Sequence, residues 1–148
     1  MVTADLLPLE ILYDKDETAW LEAMAVLAAE GRRSEMDCLN LSEYLSDMAK
    51  RDRREVFSRL VVLLTHLLKW EHQRESRSHS WQGTIREQRR ELRQLLEGGT
   101  LYNHAQTVME EAYAEACEQA AAETGLEVGA FPLSNPWNLA EAMGEDAV

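Results

Sequence analysis

Arg86, Arg90 and Arg93 recur at spacings of four and three residues, which puts three guanidinium groups along one side of a single helix. Arg89 falls between that face and the apolar stripe of the same helix. Just upstream, Arg77 and His79 alternate with the hydroxyls of Ser76, Ser78 and Ser80, where the start of the helix exposes unpaired N–H groups. Side chains of these types at these positions hold anions, because guanidinium groups and helix N-termini both favour phosphate or carboxylate oxygens. The candidate binding residues are therefore Arg77, His79, Ser80, Arg86, Arg89, Arg90 and Arg93. The competing reading is that Ser80 simply caps the helix and the arginines are solvated or paired within the fold, which is the usual fate of a charged helical stripe. In an antiparallel hairpin about Gly98-Gly99, Glu111 would lie level with Arg86, but Arg90 and Arg93 would lie level with Thr107 and His104. The remaining arginines then need Glu22, Glu43 or Asp47, or a partner outside the chain.

The charge distribution keeps an external partner in view. Twelve of the fifteen basic residues lie between Lys50 and Arg93, so the formal net charge of −12 divides into −8, +6 and −10 over residues 1–49, 50–93 and 94–148. A basic centre thus sits between acidic flanks, and those flanks oppose approach to a nucleic-acid backbone. Trp70 and Trp81 bracket the polar string between them and can serve as stacking platforms, although both sit on the apolar register at helix ends.

Catalytic and metal chemistry have weaker support. His66, His72, His79 and His104 are separated by six, seven and twenty-five residues, which does not place two ligands on one helical face as the i, i+4 geometry does. His66 reads as a core or boundary histidine with one ring nitrogen satisfied. The chain has no nucleophile elbow and no phosphate-binding glycine loop. Glu110, Glu111, Glu115 and Glu118 read as a solvated helix face, and Cys38 and Cys117 as buried small hydrophobes rather than a disulfide.

The elements that must carry these residues are helical. Trp20, Leu21, Met24, Leu27 and Ala28 form one apolar stripe, opened by Asp14 or Asp16 and stopped at Gly31. A shorter second helix carries Leu39, Leu41, Leu45 and Met48, with Asp37 or Asn40 as its cap, and ends near the cluster Lys50-Arg-Asp-Arg-Arg54. Val56, Leu60, Leu63, Leu64, Leu67 and Leu68 make the most amphipathic run, a third helix reaching Trp70 at the centre of the core. A fourth starts at Ser80 and carries Trp81, Ile85, Gln88, Leu92 and Leu95 to the Gly98-Gly99 pair. Thr100 caps a fifth, with Ala105, Met109, Ala112, Ala116 and Ala120 inward and Gly125 at its end. Asn135-Pro136 opens a short helix to Met143.

The run Leu64-Thr-His-Leu-Leu-Lys-Trp70, with Gln73, Ser80-Trp81, Thr84-Ile85 and Gln88-Arg89-Arg90, resembles the bacterial and cyanobacterial domain-of-unknown-function family number 29. Tyr13-Asp14 and Trp20 near the start, and Glu123-Thr-Gly-Leu126, Phe131-Pro132 and Pro136-Trp137 near the end, extend the resemblance over almost the whole chain. It implies a small α-helical fold and no established activity. Two departures stand out: Glu43-Tyr-Leu-Ser-Asp47 in place of a glutamate-rich second helix, and Arg74 where a proline commonly follows the glutamine.

The expectation is an all-α, single-domain bundle over residues 1–148, with about five main helices and a short C-terminal one. No leader and no membrane span is evident, since Leu60 to Leu68 is interrupted by Thr65 and His66, so a cytoplasmic chain is expected. The expected role is non-catalytic: interaction with a protein partner, as a small regulator or an antitoxin-like protein. Nucleic-acid binding through Lys50 to Arg93 is the alternative, and no cofactor or metal is expected.

Overall fold

A computed structural model describes residues 7–145. The protein is all-α, with no strand among the described residues. Its helices are α1 (Leu9–Lys15), α2 (Glu17–Ala29), α3 (Cys38–His72), α4 (His79–Leu95), α5 (Thr100–Thr124) and α6 (Leu139–Ala142); Asp16 alone joins α1 to α2, and each later connection contains one 3-10 turn. The chain falls into two compact units whose boundary lies between Lys50 and Arg51, inside α3.

The expected second and third helices are one. No glycine or proline lies between Cys38 and His72, and arginine and lysine are good helix formers, so the Lys50 to Arg54 charge cluster sits on a continuing helix rather than ending one. The total of main helices nevertheless matches expectation, because the seven-residue α1 adds one that its length hides from periodicity.

The first unit closes around Trp20. Its side chain is fully buried with Leu12 and Met24, and the rings of Tyr13 and Tyr44 lie 4.7 and 5.8 Å from it. The indole Nε1 donates to Oδ2 of buried Asp37 at 3.1 Å, and the Asn40 amide donates to the same oxygen at 2.7 Å. Asp37 thereby satisfies the indole and the first turn of α3 together. Asp16 opens α2 by accepting from the Ala19 N–H, and Gly31 follows it at φ 70°.

The second unit has the larger core. Val56, Leu60, Leu63, Leu64, Leu67 and Leu68 from α3 meet Ile85 and Leu92 from α4 and the inward stripe of α5. That stripe is the expected Ala105, Met109, Ala112, Ala116 and Ala120, whose small side chains suit close approach of helices. Burial on this scale, at about 25 cal/mol per Å², makes these leucines the main support of the unit.

The helix starts differ in detail from expectation. Ser78, not Ser80, caps α4 by accepting from the Trp81 N–H at 3.2 Å, which leaves His79 and Ser80 in the first turn. Thr100 is the first residue of α5 and caps nothing; the turn instead needs Gly99 at φ 87°. Asn138 opens α6 in a capping box with Glu141, while Asn135 upstream accepts from the Trp137 N–H. Cys38 is exposed and Cys117 buried, both free, so only Cys117 behaves as a core residue.

Because α3 runs unbroken through the unit boundary, the expected behaviour is cooperative unfolding of the whole chain. Far-ultraviolet circular dichroism should show one thermal transition superimposable on tryptophan fluorescence. Two separated transitions would make the units independent.

Candidate functional site

Four of the seven candidate residues line one cleft. His79, Arg86, Arg89 and Arg93 project from α4 into a half-open space of about 810 Å³, within the range of ligand sites. Leu67 and Trp70 of α3 and Trp137 of the C-terminal tail supply its apolar walls, and Gln82 and Glu71 add polar groups. The helix dictates this arrangement. Residues 86, 89 and 93 fall within about 60° of one another on the helical wheel and span about 10.5 Å along the axis.

Arg89 is the anchored member. Its Nε donates to the Ala142 carbonyl at 2.9 Å, which ties the end of α6 to α4. Gly144 follows at φ 74°, and a Cβ there would stand 3.0 Å from the Arg89 guanidinium carbon, so glycine serves both the turn and the approach. Burial first, and then the charge of Arg93, push the Arg89 guanidinium below its ordinary range. It stays charged, as arginine does in proteins. Arg86 and Arg93 are exposed, and no ion pair holds Arg86, Arg89 or Arg93 among the described residues. Three cations thus share the cleft, Arg89 half-buried, with Glu71 on its lining but not ion-paired to them, an arrangement that an incoming anion relieves.

The other candidates lie apart from this group. Arg90, which the 4, 3 spacing placed on the face, is 62 % exposed and meets Glu91 at 3.2 Å. Its place is taken by Arg89, on the opposite side of Arg86 around the helix. Arg77 folds back over α3: its Nε donates to the Trp70 carbonyl at 2.8 Å and its guanidinium stacks 4.6 Å above the Trp70 ring. It is a C-terminal cap for α3 rather than part of a convergent anion site. Ser80 is exposed, and the capping hydroxyl is that of Ser78.

Internal neutralisation by α5 does not occur as the hairpin register suggested. Glu111 borders Arg53, Arg54 and Phe57 in a separate cleft of about 400 Å³ and makes no ion pair with Arg86. Glu43 accepts from the Tyr13 hydroxyl at 3.2 Å. The Nδ1–H of His66 donates to the Val62 carbonyl at 2.9 Å. Among the described residues no three of His, Cys, Asp and Glu come together in a way that could hold a metal ion. Among the described residues no helix is long and apolar enough to cross a membrane.

Sequence reasoning missed Trp137 and the role of Trp70 as walls of the cleft. Trp137 reaches α4 only through the path of the tail, which residues 132–138 set without regular structure; its own signal was its place beside Pro136. An edge-to-face contact with Tyr113, at 6.5 Å between rings, steadies it.

The fold and cleft together define a small all-α protein with a cationic groove. Over residues 12–148 the chain matches the model of the domain of unknown function DUF29, and it belongs to that family. Comparison with curated proteins and with solved structures finds no match.

Proposed function

We propose that this protein is a non-catalytic interaction module that receives an acidic segment of a protein in the cleft beside α4. The observation that carries this reading is the set of Arg86, Arg89 and Arg93, which line one partly apolar cleft with Glu71 as its acidic member and make no ion pair among the described residues. Each guanidinium can take a carboxylate through two parallel N–H bonds, and the half-buried Trp70 and Trp137 give the bound group an apolar border. A regulatory or antitoxin-like role is compatible with such a surface, since masking or releasing one acidic segment is enough to switch a partner.

Nucleic-acid binding finds less support. One face of each central tryptophan is already covered, Trp70 by Arg77 and Trp81 by Lys69, each cation 4.6 Å from the ring centre. Stacking of bases there has to displace these cations.

The test is fluorescence anisotropy with a labelled helical peptide carrying glutamates at spacings of three and four. Binding should weaken at least tenfold in Arg86→Glu/Arg93→Glu while the far-ultraviolet circular dichroism spectrum stays unchanged, because substitutions at exposed positions usually cost the fold within about 0.5 kcal/mol. Equal binding by wild type and variant would remove the cleft as the site. Tighter binding of an oligonucleotide, with log K falling against log salt by roughly 0.7 to 0.9 per phosphate contacted, would transfer the reading to nucleic acid.

A further inference from the structure

Resting on the reading of the cleft just given, we infer that the acidic segment it takes is α5 of a second copy of this chain. The second unit carries, on another helix, the charge complement of its own cleft. Glu111, Glu115 and Glu118 are exposed on α5 and make no ion pair among the described residues. They follow spacings of four and three, against three and four for Arg86, Arg89 and Arg93. Laid antiparallel, the two series match at every step: Arg86 meets Glu118, Arg89 meets Glu115, and Arg93 meets Glu111. A parallel alignment leaves the middle pair out of register by one residue.

Geometry supports the same match. Each triplet occupies about 60° of its helical wheel and about 10.5 Å of axis, so the pairs can form together without bending either helix. Between and beside these glutamates α5 exposes the small side chains of Thr107, Ala114 and Ala122, with Glu110 and Gln119 exposed farther round the helix. Each copy offers both a cleft and an acidic helix, so a two-fold pair joins α4 to α5 twice over and leaves no complementary face open. With a formal net charge of −12 on each copy, the basic cleft is a surface on which an acidic helix of the second copy meets opposite charge.

Two charge-reversed variants of the full chain test the inference by light scattering after size exclusion, at protein concentrations up to about 200 µM. Wild type should run as a dimer. Arg86→Glu/Arg93→Glu and Glu111→Arg/Glu118→Arg should each run as monomers, with far-ultraviolet circular dichroism like that of wild type. Mixed one to one, the two variants should form a heterodimer, since the acidic cleft of one then faces the basic α5 of the other and the remaining contact keeps its original charges. A mixture that stays monomeric overturns the inference, as does a monomeric wild type. If wild type is monomeric yet still binds the acidic peptide in an Arg86- and Arg93-dependent way, the cleft stands and only the self-association falls. Loss of both removes the cleft as well.

Discussion

Trp20→Ala should lower the stability of the protein by about 3–5 kcal/mol, the usual cost of emptying the space of a buried tryptophan. For a chain of this size that corresponds to a fall of roughly 6–20 °C in Tm. The effect is large because the core of the first unit is small: Trp20, Leu12 and Met24 are its buried apolar residues, and the Tyr13 and Tyr44 rings pack on the indole. Removing the ring also leaves Asp37 with the Asn40 bonds alone. Trp20→Phe separates the two contributions, since it keeps most of the volume and loses only the Nε1 donor. It should cost about 1–3 kcal/mol, the range for a buried acceptor losing its partner, with some lost volume. Urea unfolding measures both, and hydrogen exchange should show amides of Glu17–Ala29 losing protection before those of Leu60–Leu68. If the phenylalanine variant is as unstable as the alanine variant, the bond to Asp37 rather than packing holds this unit.

What the sequence made legible was the inward face of α5 and of the second half of α3; in the first part of α3 the expected stripe fails, since Leu39 and Leu45 are exposed and Leu41 and Met48 only half-buried. The spacing of Val56, Leu60, Leu63, Leu64 and Leu67 and that of Ala105, Met109, Ala112, Ala116 and Ala120 named residues that are all buried. Such stripes are dictated by burial, which every turn of the helix repeats. Boundaries were less legible because they turn on single residues. Serines at 76, 78 and 80 offer three equivalent caps, and only Ser78 stands three residues before Trp81, whose N–H it accepts. Asn135 and Asn138 posed the same choice, settled for Asn138 by Glu141 three residues on. The Lys50 to Arg54 cluster resembled an end because its charges interrupt the apolar pattern, yet nothing in it breaks a helix.

The candidate site was legible to the extent that it is local. Arg86 and Arg93 follow from the period of one helix. The exchange of Arg90 for Arg89 does not, because both lie within about 60° of Arg86 and the choice depends on where the tail packs. Ala142 supplies the carbonyl for Arg89 and Trp137 the wall, from residues more than forty positions downstream. Contacts of that separation leave no periodic trace in a single sequence.

Glu123→Ala should destabilise the protein by about 2–3 kcal/mol, far more than Lys69→Met. The Lys69 side chain is only 8 % exposed and its Nζ donates to Glu123 Oε1 at 2.8 Å, while lying 4.6 Å over the Trp81 ring. Glu123 is 34 % exposed. Removing the acid strands a buried ammonium with little beyond the indole for company, for which 3–5 kcal/mol is usual in a fully buried pair and less here because water reaches Glu123. Removing the lysine instead frees a carboxylate that can hydrate, so methionine in its place should cost under about 1.5 kcal/mol. The pair also sets an acid limit. The bond from Lys69, followed by that from Gln119 and the charges of Lys69 and His66, holds the Glu123 carboxyl below its ordinary range against the opposing effect of burial. A carboxyl depressed in the folded state contributes fully above its unfolded value, about 4.3, and loses that contribution as pH falls through the folded value. Urea midpoints taken from pH 7 down to pH 3 should therefore fall more steeply in wild type than in Glu123→Gln, with the two curves converging at the acid end. Parallel curves would mean that Lys69 contributes through the packing of its stem along α3, and the order of the Lys69→Met and Glu123→Ala costs should then reverse.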